Sequence, residues 1–132
     1  MSDTDALLQA AATARAHAHA PYSGFAVGAA LRAEDGRIHA GANVENAAYP
    51  EGLCAEAAAI AAMVTSGARQ IREMVVLAAG PPLCAPCGGC RQRIREFAGP
   101  EIVIHLCTPS GVQRSVTLGE LLPLAFGPDN LP

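Results

Sequence analysis

The chain has 132 residues, with 12 acidic and 9 basic side chains and a formal net charge of −3 at pH 7. That acidic balance, with no basic patch, argues against a surface that tracks nucleic acid. No apolar run is long enough to cross a membrane, and the N-terminal run MSDTDALLQ lacks the layout of a signal peptide. With five cysteines and no export signal, we expect reduced thiols and a cytoplasmic location. The length predicts a single domain, residues 1–132, with a substantial core.

Periodicity and turn residues predict an alternation of helices and strands. In chain order we expect a helix over 3–18, strands over 26–33 and 37–42, a helix over 54–65, a strand over 74–79, a helix over 89–98, strands over 101–107 and 113–117, and a short helix over 118–122. The run MVVLAA at 74–79 is typical of a central strand covered on both faces. This order predicts an α/β fold, a mixed sheet with helices on its faces.

Two of the predicted helices have distinctive surfaces. The helix over 54–65 is rich in alanine and apolar nearly all round, so we expect it to be buried. The helix over 89–98 carries Arg91, Arg93 and Arg95, which we expect to point outward. Because 51% of the sequence is hydrophobic, we also expect contacts between subunits and therefore an oligomer.

Two short segments carry the residues that point to chemistry. Cys54 and Glu56 open the run CAEAAAIAAMV, and Cys87 and Cys90 lie in PCGGC, at the start of another helical pattern. Three thiolates leave a fourth zinc position open for water, as in a catalytic rather than a structural zinc site. The carboxylate can then move protons to and from that water. Helix N-termini supply N–H groups and partial positive charge, which favour the thiolate form.

Asn43 and Glu45 continue the second predicted strand and point to the same side of it, because side chains alternate along a strand. An amide and a carboxylate side by side suit a pair of hydroxyls, as on a ribose. From the spacing alone, an exposed polar strand end is the favoured interpretation, and both remain open.

The sequence resembles cytidine deaminases of the small homotetrameric type along nearly its whole length. Five collinear blocks carry the resemblance: PYSGF at 21–25, VGAAL at 27–31, GANVENAAYPEGLCAE at 41–56, PCGGCRQ at 86–92 and ELLPLAFGP at 120–128. The C-x-E…P-C-x-x-C arrangement also matches the signature of zinc deaminases, with Cys as the first ligand. A lone PCxxC would be weak evidence, whereas five blocks in order are specific.

The resemblance implies a three-layer α-β-α fold with a mixed five-stranded sheet and one Zn²⁺ per subunit. It implies hydrolytic deamination of cytidine and 2′-deoxycytidine to uridine and 2′-deoxyuridine plus ammonia, a step of pyrimidine salvage. It also implies a homotetramer that binds a pyrimidine nucleoside and completes each site across subunit boundaries, with neither nucleic acid nor membrane as a partner.

The resemblance also assigns roles to individual residues. Glu56 is the implied proton shuttle, and Asn43 and Glu45 would hold the ribose hydroxyls, which reverses the preference from spacing alone. The residues implied to hold the zinc are Cys54, Cys87 and Cys90. The residues implied to contact the nucleoside are Phe25, the backbone of Ala55 and, from neighbouring subunits, Tyr49 and Phe126.

Two features depart from the family pattern. Three-cysteine members commonly have Arg after the catalytic Glu, as in CAER, where this chain has Ala57. Such an Arg would soften the charge of the thiolates, so we expect this site to compensate through backbone N–H groups or to react more slowly. The chain also has Cys84, which makes a fourth thiol available, and a four-cysteine zinc site would be closed and structural.

Other functions stay open on the sequence. A sibling aminohydrolase such as blasticidin S deaminase shares Cys-Ala-Glu and the PCxxCRQ block. A non-catalytic module stabilised by zinc is a second alternative, although it would not need Glu56. An editing deaminase that acts on nucleic acid is a third, disfavoured by the acidic balance. The sequence leaves the preference between cytidine and 2′-deoxycytidine unassigned.

Overall fold

The computed structural model describes residues 2–132. Its helices are α1 (Asp3–Arg15), α2 (Ala55–Thr65), α3 (Gly88–Phe97) and α4 (Leu118–Leu121). Its strands are β1 (Val27–Ala33), β2 (Ile38–Ala42), β3 (Ile71–Ala78), β4 (Val103–Thr108) and β5 (Gly111–Thr117), with single 3₁₀ turns at Tyr49–Glu51 and Pro128–Asn130. None of the helices within residues 2–132 combines the length and the apolar character that crossing a membrane would require.

The five strands form one mixed sheet in the order β2-β1-β3-β4-β5. β3 and β4 are parallel, and the other neighbouring pairs are antiparallel. β3 is the central strand, and all of its residues are buried except Arg72 and Glu73. The prediction of a central, doubly covered strand is therefore confirmed, although the strand begins three residues earlier than the apolar run.

Helices cover both faces of the sheet, as predicted for an α-β-α arrangement. On one face, α1 buries Leu7 and Ala11 against Ala30 of β1 and Val75 of β3. On the other face, α2 and α3 enclose a larger apolar cluster that includes Ile94 of α3. Cys107 belongs to the smaller cluster, where burial raises the pKa of its thiol to about 11. It packs there as a small apolar side chain, as expected.

Two glycines allow the helices to approach the sheet closely. A Cβ added at Gly41 of β2 would lie 2.5 Å from Ala58 Cβ and 2.6 Å from Ala59 N of α2. A Cβ added at Gly28 of β1 would lie 2.1 Å from the carbonyl oxygen of Ala11 in α1. These distances are far below van der Waals contact, so backbone packs directly on backbone at both sites. The contact at Gly41 fixes α2, which carries part of the site described below.

The prediction that α2 is wholly buried is wrong for one stripe. Ala61 and Ala62 are exposed, whereas Ala59, Ile60 and Met63 are buried. Hydropathy alone could not separate the two sides, because alanine occupies both.

Candidate active site

Two cysteines occupy equivalent places at the starts of two helices. Cys54 is the N-cap of α2 and Cys87 is the N-cap of α3, each with extended backbone. Their carbonyl oxygens accept the first helical hydrogen bonds, from Ala58 N at 3.1 Å and Arg91 N at 3.0 Å. Cys90 follows in the first turn of α3 and is fully buried. Because α2 and α3 pack against each other, the three sulfurs converge.

The sulfurs of Cys54, Cys87 and Cys90 lie within 4.8 Å of one another. The Sγ atoms of Cys54 and Cys87 are 4.0 Å apart. Tetrahedral coordination with Zn–S bonds of about 2.3 Å places sulfurs about 3.8 Å apart, so the cluster fits a zinc ion with little movement. Within residues 2–132 this is the only group of three or more potential ligand side chains, and Cys84 is not part of it. The donor set therefore fits an open three-thiolate site.

The thiols differ in their ease of ionisation. The backbone N–H of Cys90 donates to the Cys87 sulfur and lowers the pKa of that thiol, as expected at a helix N-terminus. Burial raises the pKa of Cys54 and of Cys90, with further increases from the neighbouring thiols and carboxylate. The expectation that the helix N-termini favour thiolates thus holds at Cys87, whereas burial outweighs it at Cys54 and Cys90. A divalent cation among the sulfurs reverses that balance, because a coordinating thiol is deprotonated.

Glu56 lies beside the sulfurs in the first turn of α2 and is only 5% exposed. Burial raises the pKa of its carboxyl, and its own backbone N–H and the charge of Arg93 partly offset that increase. A buried carboxyl with a raised pKa is suited to accept and donate protons. The arrangement therefore places an ionisable carboxyl next to the three sulfurs.

Comparison with protein families shows which family this chain belongs to. Residues 1–106 match the family model for the cytidine and deoxycytidylate deaminase zinc-binding region. The chain belongs to the cytidine deaminase family. This places zinc as its cofactor and the three-thiolate cluster as the site available to hold it.

Similar members of the cytidine deaminase family span almost the same length. A cytidine deaminase from Sporosarcina psychrophila is 40% identical over 129 residues, which cover 98% of this chain and 95% of that protein. One from Mycobacterium tuberculosis (strain ATCC 25618 / H37Rv) is 42% identical over 123 residues, with coverages of 92% and 88%. The crystal structure of cytidine deaminase from Burkholderia pseudomallei superposes with a TM-score of 0.88 at 41% identity, covering 96% of this chain and 100% of that one. The predicted family and fold class are confirmed.

The two residues expected to bind ribose face the turn that precedes β1. Asn43 accepts from Val27 N at 2.9 Å through Oδ1 and donates from Nδ2 to the Phe25 carbonyl at 2.8 Å. Glu45 accepts from the backbone N–H groups of Tyr22 and Ser23, and from the Ser23 hydroxyl. These hydrogen bonds hold the pKa of the Glu45 carboxyl below its usual range. The pair thus shapes this turn, and its ribose role stays a prediction.

An open cavity of about 350 Å³ lies next to Glu45. Its wall comprises Tyr22, Ser23, Glu45, Asn46, Tyr49 and Gly52. The rings of Tyr22 and Tyr49 meet edge to face, with centroids 5.7 Å apart. The cavity wall includes neither the sulfurs nor Glu56, so it lies to one side of the metal cluster rather than over it.

The predicted pocket-lining aromatics are exposed in the single chain. Tyr49 is 73% exposed, Phe126 is 59% exposed and Phe25 is 42% exposed. The backbone carbonyl of Phe126 accepts from Gln92 Nε2 of α3 at 2.8 Å, which holds the C-terminal tail near the metal-binding helix. Ala55 is the first residue of α2, where backbone N–H groups have no intrahelical acceptor. These four assignments stay predictions.

The prediction that the arginines of α3 point outward is confirmed for Arg93, which is exposed, and wrong for Arg91 and Arg95, which are half-buried. Arg91 Nε donates to the Pro86 carbonyl at 2.7 Å and Nη1 to the Leu121 carbonyl at 2.8 Å, which fixes the loop before Cys87. Arg93 Nη1 donates to Cys90 Sγ at 3.5 Å. Cys90 and Arg93 are three residues apart on one helix, a spacing at which side chains meet. The spacing of three residues between Cys90 and Arg93 is the sequence signal that could have predicted this contact.

Proposed function

We propose that this member of the cytidine deaminase family deaminates cytidine and 2′-deoxycytidine hydrolytically, giving uridine or 2′-deoxyuridine and ammonia. The observation that carries the proposal is the buried Glu56 carboxyl, two residues after one ligand of an open three-thiolate site. A purely structural zinc site would be closed by a fourth protein ligand and would need no buried acid beside it.

When bound by Cys54, Cys87 and Cys90, zinc would supply the Lewis acidity that activates a water molecule as the nucleophile. Glu56 accepts the proton that this water loses as oxygen adds to C4 of the cytosine ring. The carboxyl delivers this proton to the ring N3. It then carries the second proton of the water, from the hydroxyl now on C4, to the departing amino group, so water and cytidine give uridine and ammonia. Its raised pKa matches this cycle, because the group must be stable in both protonation states.

The turn before β1 and the exposed aromatic side chains would position the nucleoside. In this proposal Asn43 and Glu45 bind the ribose hydroxyls, and the backbone at Ala55 contacts the pyrimidine. The amide of Asn43 keeps one N–H and one lone pair beyond its two bonds to the turn, and Glu45 Oε2 can accept a further donor besides the Ser23 hydroxyl. Phe25 would pack against the base from within the same chain.

We further propose that residues 1–132 form one catalytic domain that assembles as a homotetramer and works in the cytoplasm, in pyrimidine salvage. Three observations support assembly. Tyr49 and Phe126 are exposed although the resemblance assigns them to the pocket, the tail leaves Leu124 exposed, and α2 leaves a stripe of alanines uncovered. The free thiols of the metal cluster support a reducing compartment. Light scattering coupled to size exclusion tests the assembly, and a monomeric mass at working concentration would contradict it.

Turnover of cytidine and 2′-deoxycytidine by the purified, zinc-loaded chain tests the function. We expect ammonia release with both nucleosides. In Glu56→Gln we expect it to fall by about 10² to 10⁴, because general acid–base catalysis is lost while zinc remains bound. A folded, zinc-loaded protein that is inert on both nucleosides would contradict the proposal, and activity on modified cytosine nucleosides such as blasticidin S would then identify a sibling aminohydrolase.

A further inference from the structure

The metal cluster concentrates negative charge. Three thiolates around one divalent cation leave one unit of negative charge, and an ionised Glu56 adds another close by. Negative charge held in a partly buried site is costly unless a cation or hydrogen-bond donors compensate it. The helix N-termini supply N–H groups, but α2 carries no positive side chain at all, since its sequence is AEAAAIAAMVT.

Arg93 brings a positive charge to this cluster from α3. Its Nη1 donates to Cys90 Sγ at 3.5 Å. The guanidinium therefore contacts a ligand sulfur directly. Cys90 and Arg93 share a rigid helix and are three residues apart, so the contact is built into α3 and needs no loop rearrangement.

Gly89 leaves the space that this guanidinium occupies. A Cβ built at Gly89 would lie 3.3 Å from Arg93 Nη1 and 4.0 Å from its Cζ. The guanidinium therefore lies beside Gly89 at the start of α3, within reach of the Cys90 sulfur. A side chain at position 89 would press on the guanidinium and change its approach to the sulfur.

We propose that Arg93 is a positioning residue for the zinc site, which orients the Cys90 sulfur and offsets the charge of the thiolate cluster. Arg93 supplies from α3 the positive charge that an arginine at position 57 would supply from α2, where this chain has Ala57. Hydrogen bonds and nearby charges that act on a metal ligand typically change metal affinity or activity 10- to 100-fold. The inference rests on the proposed zinc site but not on which nucleoside the enzyme uses.

The test compares zinc affinity in three arginine variants of the full chain, by competition with a chromophoric chelator. Arg93→Gln removes the charge and keeps much of the length, whereas Arg93→Lys keeps the charge. Arg37→Gln, in the exposed hairpin between β1 and β2, is the matched control for loss of one positive charge. The Co²⁺-substituted proteins are examined in parallel, because cobalt–thiolate charge-transfer bands report the electronic state of the sulfurs directly.

We expect Arg93→Gln to bind Zn²⁺ about 10- to 100-fold more weakly and to shift the cobalt–thiolate bands. Arg93→Lys should recover most of the affinity, and Arg37→Gln should stay within about threefold of the wild type. Gly89→Ala should weaken binding in the same direction with Arg93 present, and should add little in the Arg93→Gln background.

Two results would overturn the inference. One is an Arg93→Gln affinity within about threefold of the wild type, with unchanged cobalt bands. The other is an equal loss in Arg93→Gln and Arg93→Lys with a lowered unfolding temperature, which would assign the side chain to packing. A wild-type chain that binds no zinc would instead refute the proposed function, which separates that failure from a failure of Arg93.

Discussion

Glu45 accepts hydrogen bonds from both the backbone N–H and the hydroxyl of Ser23, which lies 22 residues earlier in the chain. The Ser23 hydroxyl also accepts from Phe25 N at 3.0 Å, so this carboxylate and hydroxyl together set the shape of the turn before β1. The Glu45 carboxylate thus connects the segment after β2 to Ser23 in the turn, and both residues form part of the cavity wall. Its structural and substrate roles must be separated by experiment.

We expect Glu45→Gln to lower kcat/KM for cytidine about 10- to 100-fold, chiefly through KM, because a hydrogen bond to a charged acceptor is worth about 1.5–3 kcal/mol. Steady-state kinetics on cytidine, 2′-deoxycytidine and 3′-deoxycytidine would measure this. The loss should shrink for the analogue that lacks the hydroxyl bound by Glu45. Ser23→Ala is the control for the turn and should cost less. An equal loss on all three nucleosides would assign Glu45 to the turn alone.

Cys84→Ser should leave zinc content at one ion per chain. Its sulfur lies outside the cluster of Cys54, Cys87 and Cys90, and its contact is with the carbonyl of Ala85 at 3.7 Å. Cys87→Ser, by contrast, removes the thiol whose pKa the helix N-terminus lowers, and should weaken zinc binding by more than about 100-fold. Metal analysis after dialysis against a chelator distinguishes the two variants. Zinc loss from Cys84→Ser would refute the three-cysteine assignment.

Gly41→Ala should destabilise the fold by about 1–3 kcal/mol, the usual cost of overpacking. The new methyl group would overlap Ala58 Cβ and the backbone at Ala59, so α2 must move away from β2. Gly88→Ala is a suitable control, because a Cβ there meets no atom within 4 Å, and its stability should stay within about 0.5 kcal/mol. Urea unfolding of both zinc-free variants provides the comparison. Equal midpoints would show that the close contact is not required.

Glu34 should contribute to the acid sensitivity of the fold. It accepts from the backbone N–H groups of Arg69 and Gln70, and these bonds lower its pKa below the ordinary value. Because the folded-state pKa is the lower one, the stabilisation is present above the unfolded pKa of about 4.3 and is lost as pH falls through the folded pKa. Glu34→Gln should therefore lower Tm at neutral pH and lose less stability on acidification.

Tm measured across the acid range tests this expectation, with the exposed Glu96→Gln on α3 as the control. A Tm that falls with pH as steeply in Glu34→Gln as in the wild type would show that another group is responsible. Glu45 and Glu120 also have lowered pKa values, so part of the acid sensitivity should persist in the variant.

The sequence was most informative where local spacing decides geometry. Cys54 and Cys87 precede helical patterns, so their positions at two helix starts followed from the pattern of helix termini. The side-chain direction of Arg93 did not follow, because an outward-facing helix position still allows a long side chain to fold back one turn. The exposed alanines of α2 were missed for a different reason, since alanine has too little apolar surface to indicate which face is buried. The roles proposed for Tyr49 and Phe126 require contacts between subunits, which no pattern within one chain can supply.

Cys54 and Cys87 are 33 residues apart in sequence, and their sulfurs lie 4.0 Å apart at two helix starts. A zinc ion held between them is therefore a crosslink that exists only in the folded state, and its binding free energy adds to the stability of the fold. At free zinc about 100-fold above the dissociation constant, that contribution is about 2.7 kcal/mol. The survival of the chain against heat and proteases should then follow the zinc supply, so scarcity of the metal would reduce the amount of enzyme as well as its activity.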